Sequence, residues 1–250
     1  MPLEIKDTGL GLDLEGTLIN LEREGHHAAW LQAAADAGVH ISFEEALNGG
    51  IPHLIGGPDD AIIAEIFGLS DRLVSLESIG LRKRNLFEDW LRGVTVIPTR
   101  IGLFEFLEEA QRRGFNMMIA TATEPELALY YIHKSGLREM FSPEKKNIVM
   151  AVPGSGIRNK PEPDIYLESA RRMKIDPRNQ LVFEDSVRGV TSGVASGGIV
   201  IGLPVYDLEK AIAPLIKAGA IEVYREWPEV DLNYLLSDEL QAKRGNQRFL

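Results

Sequence analysis

From about residue 94 to residue 224 the chain alternates short apolar runs with amphipathic segments, and no other feature limits its fold so strongly. Phe115 to Ala120, Ile148 to Val152, Gln180 to Phe183, Ile199 to Gly202 and Ile221 to Tyr224 read as buried strands. Between them Leu103, Phe106, Leu107 and Ala110 recur at helical spacing and stop at Gly114, and Tyr166, Ala170 and Met173 make a second stripe. Pro125 is suited to the first turn of a helix that ends near Gly136, and Leu208 to Ala218 continues the alternation as a helix. A helix after Phe183 carries Gly189 and Gly193, which lower helix propensity and make sense if that helix packs closely on the sheet. Strands alternating with helices predict an α/β fold, a parallel sheet with helices on both faces. Gly9 to Leu12 supplies one further strand ahead of this region.

No strand pattern occurs from about residue 20 to 95. His27, Trp30, Leu31 and Ala34 fall on one helical stripe that Gly38 stops. Ser42-Phe43-Glu44-Glu45 has the form of a capping box and opens a short helix ending before Asn48-Gly49-Gly50. After a Gly- and Pro-rich loop from Gly49 to Pro58, Asp59 or Asp60 can cap a helix containing Ile62, Ile63, Ile66 and Phe67. A longer helix is predicted from Asp71 to Leu91, and Val94 to Ile97 is a β-branched run closed by Pro98. The block reads as a helical domain, residues 20–95, inserted into a core made of residues 1–19 and 96–250. Gln241 to Leu250 is polar and predicted to fray.

A net charge of -10 argues against non-specific nucleic-acid binding. Cysteine is absent, so disulfides and thiolate chemistry are excluded, which suits a cytoplasmic location. Met1-Pro2-Leu3-Glu4 does not open a secretory signal, and no apolar run is long enough to span a bilayer. No membrane association and no obligate protein partner are expected.

The apolar runs end in polar residues. Gly9 to Leu12 leads into Asp13, with Glu15 two residues on and Gly16 available for a sharp turn. Ligands of open α/β sheets bind at the carboxyl ends of strands, so the two acids could converge there on a metal or a phosphate; they could equally form a solvated acidic turn. Met117 to Thr123 delivers Thr121, Lys160-Pro161-Glu162-Pro163-Asp164 places a lysine ahead of a helix, and Leu181 to Gly189 delivers Glu184 and Asp185. Taken singly, Thr121 could simply end a strand, Lys160 could be a solvated loop lysine, and the paired acids could be a helix N-terminal region. Taken together and in this order, the four stretches resemble the motifs of the haloacid dehalogenase superfamily, nearest the branch holding β-phosphoglucomutase and related sugar-phosphate phosphatases. The resemblance covers nearly the whole chain.

That resemblance implies a Rossmann-like doubly wound core with an inserted all-helical cap, hinged near residues 18–21 and 93–97. It implies a magnesium-dependent phosphatase of a small phosphorylated metabolite, a sugar or polyol phosphate, working through an aspartyl-phosphate. Asp13 would be the nucleophile, and Glu15 the general acid/base. Thr121 and Ala122 would bind the phosphoryl group, and Lys160 would neutralise its charge. Mg²⁺ would be held by Asp13, Asp185, Glu184 directly or indirectly, and the backbone carbonyl of Glu15. Cap residues would select the substrate, with His26 and His53 as candidates and His27 assigned to packing; Arg82, Lys83 and Arg84 read as a solvated face. A phosphomutase on the same scaffold, or a non-catalytic binding or regulatory protein, are the alternatives. Two positions depart from the family pattern. Glu15 replaces the usual aspartate and extends the carboxyl by about 1.5 Å. Gly11 stands where a bulky apolar residue is common, which reads as a packing change.

Overall fold

The computed structural model describes residues 2–55, 57–152 and 154–247. Gly56 of the Gly-rich loop, Pro153 at the head of the 153–159 loop, and Arg248 to Leu250 of the polar C-terminus lie outside the described residues. The chain divides into two compact units, Met1–Asn20 with Val96–Leu250, and Leu21–Thr95. The first opens with a 3-10 turn (Ile5–Asp7), and its first strand is β1 (Gly9–Leu12).

Among the described residues, every regular element of the second unit is helical. A π-helical turn (Glu22–His27) runs into α1 (Ala28–Asp36), and α2 (Phe43–Glu45), α3 (Asp59–Leu69) and α4 (Leu76–Gly93) follow. Trp30, Ala34, Ile51, Leu54, Ile62, Ile66 and Ile79 form its core. Burying one such side chain contributes about 1.5–3 kcal/mol. The Ser42–Glu45 capping box is present in both directions. Three expectations for this unit are corrected. Asp59 and Asp60 lie inside the first turn of α3, where they face the positive helix end, and Pro58 holds the cap position. The long helix starts at Leu76 rather than Asp71, because Ser75 caps it through Ser78 N–H. Lys83 is buried, with Nζ 4.9 Å from the Trp30 ring and 3.6 Å from an Asp59 carboxylate oxygen. Its long apolar stem lets it cover core surface while the charge stays satisfied.

The first unit continues with α5 (Leu103–Arg113), β2 (Asn116–Thr121), α6 (Pro125–Lys134), β3 (Ile148–Met150) and α7 (Asp164–Met173). Then come β4 (Gln180–Glu184), α8 (Val187–Ala195), β5 (Ile199–Gly202), α9 (Glu209–Ala218), β6 (Glu222–Val223), α10 (Leu232–Leu236) and α11 (Asp238–Gln247). The C-terminal segment expected to fray is therefore helical as far as Gln247. All strand pairings are parallel, in the order β3-β2-β1-β4-β5-β6. The chain builds outward from β1 on one side and then on the other, so β1 lies at the topological switch point where ligands of such sheets bind.

Close packing explains several glycines. A Cβ on Gly9 would sit 2.6 Å from Met173 Sδ, and one on Gly11 would sit 2.4 Å from Gln180 Nε2. Gly11 thus makes room for a fully buried Gln180, whose amide donates to Ser169 Oγ at 2.8 Å. A Cβ on Gly193 would meet Val200 and Val182 at 2.8 and 2.9 Å, the close helix-on-sheet contact its place in the sequence requires. Across the other face Phe106, Phe183 and Trp227 pack ring on ring, with centroids 4.4–5.5 Å apart. Among the described residues no helix is long and apolar enough to cross a membrane.

Candidate active site

Four strand ends or loops of the α/β unit meet. β1 stops at Leu12, and Asp13 continues its ladder by donating its N–H to Phe183 O at 3.1 Å. Thr121 ends β2 and Glu184 ends β4. The loop after β3 carries Lys160, anchored by its N–H on Asn159 Oδ1 at 2.9 Å and by Arg188 on its carbonyl. Lys160 Nζ reaches Asp13 Oδ1 and, at 2.6 Å, Glu184 Oε1. Asp13, Lys160 and Glu184 are all buried. Tyr166 OH donates to Glu184 Oε1 at 2.7 Å and Ser186 Oγ to its Oε2 at 3.2 Å, so this acid's lone pairs are largely engaged. Ser186, not either acid, caps α8. The turn has no room for a side chain at Gly189, where a Cβ would fall 1.8 Å from Glu184 Cδ.

Asp185 is half-buried and accepts from Thr17 Oγ1 at 3.4 Å. Gly16 lets it approach: φ is +78°, and a Cβ there would lie 2.0 Å from Asp185 Oδ2. Ligand atoms of Asp13, Glu184 and Asp185 all lie within 4.8 Å of one another. All are hard oxygen donors, the type magnesium prefers, and three carboxylates against one buried ammonium leave negative charge for a cation to balance. The residues therefore fit the ion, with Asp13 and Asp185 best placed to ligate because Glu184 already serves Lys160, Tyr166 and Ser186.

Burial pushes the Asp13 carboxyl up to about 7, against the pull of Lys160 and with Glu184 adding to the rise. Burial alone would depress Lys160, but the carboxylates of Asp13 and Glu184 outweigh it and hold the ammonium above its usual value. Lys160 is thus the electrostatic centre of the cluster. Lys160→Met would leave two adjacent buried acids with no ammonium. Removing one partner of a buried pair costs about 3–5 kcal/mol, which is about 10 °C in a chain of this size. Thermal melts should show that loss, and added magnesium should recover part of it. An unchanged melting temperature would show that the contact is energetically idle.

Glu15 is half-buried, and its Oε1 accepts from Thr123 Oγ1 at 2.5 Å. Thr123 Oγ1 in turn accepts from Thr121 Oγ1 at 2.8 Å. Ala122, between the two threonines, is exposed. The two histidine candidates belong to the helical unit and have partners within it. His26 stacks on Phe87 at 4.0 Å between centroids, and His53 meets Glu65 through Nδ1 and, at 3.1 Å, its backbone N–H. His27 is buried, with Nε2 3.3 Å from Glu22, in keeping with its place on the apolar stripe.

Two functional supports escape sequence reasoning. The buried Arg100 guanidinium donates to the carbonyls of Gly16 at 2.7 Å, Leu203 at 3.1 Å, Pro204 at 3.2 Å and Arg225, and meets Glu226 at 3.1 Å. Trp227 Nε1 donates to Thr17 O at 3.2 Å. Together they hold the turn that follows Asp13 from behind. A lone arginine or tryptophan in a single sequence carries no signal for such a role.

A buried carboxylate–lysine cluster at the switch point of a doubly wound parallel sheet defines an α/β enzyme with its chemistry at the strand ends. Residues 9–197 match the haloacid dehalogenase-like hydrolase family, and the chain belongs to that family. It is 29% identical over 188 residues to a phosphorylated carbohydrates phosphatase from Thermotoga maritima, covering 74% of this chain and 78% of that one. It is 28% identical over 201 residues to hexitol phosphatase A from Escherichia coli, covering 78% and 82% of the two chains. The fold is shared with a HAD family hydrolase from Deinococcus radiodurans solved with bound phosphate and sodium, at a TM-score of 0.70 and 23% identity over 96% of this chain and 98% of that one.

Proposed function

We propose that this hydrolase is a magnesium-dependent phosphatase of a small phosphorylated metabolite, a sugar or polyol phosphate, acting through an aspartyl-phosphate on Asp13. One observation carries the reading: Asp13, Lys160 and Asp185, distant in sequence, converge at the end of the central strand. The names of the two enzymes matched over most of their length supply the substrate class.

Asp13 and Asp185 would hold the magnesium ion, which when bound neutralises charge on the phosphoryl oxygens. An Asp13 carboxylate oxygen attacks phosphorus, and the ester P–O bond breaks as the Asp13–phosphorus bond forms. The departing alkoxide takes its proton from the Glu15 carboxyl. The backbone at Thr121 and Ala122 binds the phosphoryl group, leaving the Thr121 hydroxyl on Thr123, and Lys160 offsets the charge gathered there. In the second half Glu15, now a carboxylate, takes a proton from water. The water oxygen attacks phosphorus, the Asp13–phosphorus bond breaks and inorganic phosphate leaves.

A panel of sugar and polyol phosphates assayed with magnesium and with excess chelator tests the proposal. Turnover that depends on the metal is expected, and no turnover of any ester with magnesium present would overturn it. Asp185→Ala should raise the magnesium concentration for half-activation by more than the 10–100-fold typical of losing a ligand's supporting partner, with a smaller change in KM. Unchanged metal dependence would remove Asp185 from the ligand set.

A further inference from the structure

We propose that Thr123 is a positioning residue for Glu15: its hydroxyl, donating to Glu15 Oε1 at 2.5 Å, holds the lengthened acid in one place beside the nucleophile. The inference rests on the proposed acid role of Glu15. A glutamate has one more rotatable bond than an aspartate, and each added rotamer that must be suppressed costs entropy. A carboxyl misplaced by about 1 Å can cost on the order of a hundredfold in rate. Substituting glutamate at this position therefore calls for a second contact that an aspartate would not need, and Thr123 supplies it.

The donor is itself held. Thr123 is β-branched, so its χ1 is stiff. Its hydroxyl accepts from Thr121 Oγ1 at 2.8 Å, and its own N–H donates to Thr121 Oγ1 at 3.1 Å. Thr121 is 1% exposed and closes β2, which is hydrogen-bonded to β1 in fixed register, Leu12 opposite Ile119. The relay therefore ties the end of the Glu15 side chain to the strand beside the one that delivers Asp13. The turn made by Thr121 and Thr123 explains the backbone contact between them. It does not explain why the second hydroxyl points at an acid 108 residues away in the chain. Glu15 lies near enough to Asp13 for its charge to be felt there.

Thr123→Val removes the hydroxyl at almost constant shape, and Thr123→Ser keeps it. Magnesium-dependent kcat/KM is measured for an alkyl ester, glucose 6-phosphate or sorbitol 6-phosphate, and for para-nitrophenyl phosphate. Loss of one hydrogen bond to a charged group corresponds to about tenfold or more. Thr123→Val should lose that much on the alkyl ester and less than about twofold on the aryl ester, with Thr123→Ser restoring the alkyl rate. In a Glu15→Gln background Thr123→Val should cost nothing further on the alkyl ester. Equal losses on both esters, or losses that add in the double variant, would overturn the proposal. Crystal structures of wild type and Thr123→Val give a readout independent of turnover. The Glu15 carboxyl should be displaced or split between conformers in the variant, and an unmoved, singly ordered Glu15 would also overturn it. A wild type inactive on both esters would instead sink the phosphatase reading, and the crystallographic comparison would still decide the role of Thr123.

Discussion

Asp13→Asn should keep its fold and lose turnover by on the order of 10⁴-fold or more, the scale of losing a nucleophile. The carboxamide matches the carboxylate in shape, so the burial of the site is preserved. Lys160 keeps Glu184 as a charged partner at 2.6 Å, which protects the cluster from the full cost of an orphaned ammonium. What disappears is the anionic oxygen, and an amide cannot form the acyl-phosphate. The measurements are steady-state hydrolysis of a sugar phosphate and an acid-quenched assay for protein-bound phosphoryl groups, alongside a thermal melt. Substantial metal-dependent hydrolysis in a fully folded variant would remove Asp13 as nucleophile.

Glu15→Gln should nearly abolish kcat/KM on alkyl phosphates while sparing most of kcat/KM on aryl phosphates, because kcat/KM reports the first transfer and not the later attack of water. A sugar alkoxide needs a proton as it departs, whereas an activated phenolate needs little help. General acid catalysis contributes about 10²–10⁴-fold, so the gap between the two esters should open by that order. Glu15→Asp is the sharper variant. Shortening the side chain by about 1.5 Å takes the carboxyl away from Thr123 Oγ1, which it meets at 2.5 Å. The rate on alkyl esters should fall. A rise of about tenfold, equivalent to about 1.4 kcal/mol of barrier, would mean that the site is better served by aspartate and would favour a vestigial or binding role.

Asp13 and Glu15 both stand at positions that the local pattern of the chain marks out. An apolar run ending in a carboxylate is such a pattern, and so is a helical stripe closed by glycine. Leu103, Phe106, Leu107 and Ala110 are all buried on α5, and Gly114 ends that helix with φ of +89°. The helical block misleads at its helix starts and at one buried charge. Asp71 lies too early for α4 because a serine pair at 75 and 78 outcompetes an acidic start. Lys83 reads as solvated because a charge pattern does not show that a tryptophan face awaits the stem.

By itself the sequence determined the class of fold and the residues standing at the strand ends, because periodicity and chain order are properties of neighbouring residues. Partnership was decided only in three dimensions. Lys160 meets Asp13 across 147 residues, Arg100 meets the Gly16 carbonyl across 84, and Thr123 meets Glu15 across 108. No local signal marks such pairs, since each depends on which strands the sheet sets side by side. The parallel order β2-β1-β4 brings the ends of three separated segments to one edge. There the low dielectric of the buried site makes each charge depend on its neighbour. Glu184, read from the sequence as a direct or indirect metal ligand beside Asp185, becomes the anchor of a lysine, while Asp185 faces the site across a glycine that leaves it room.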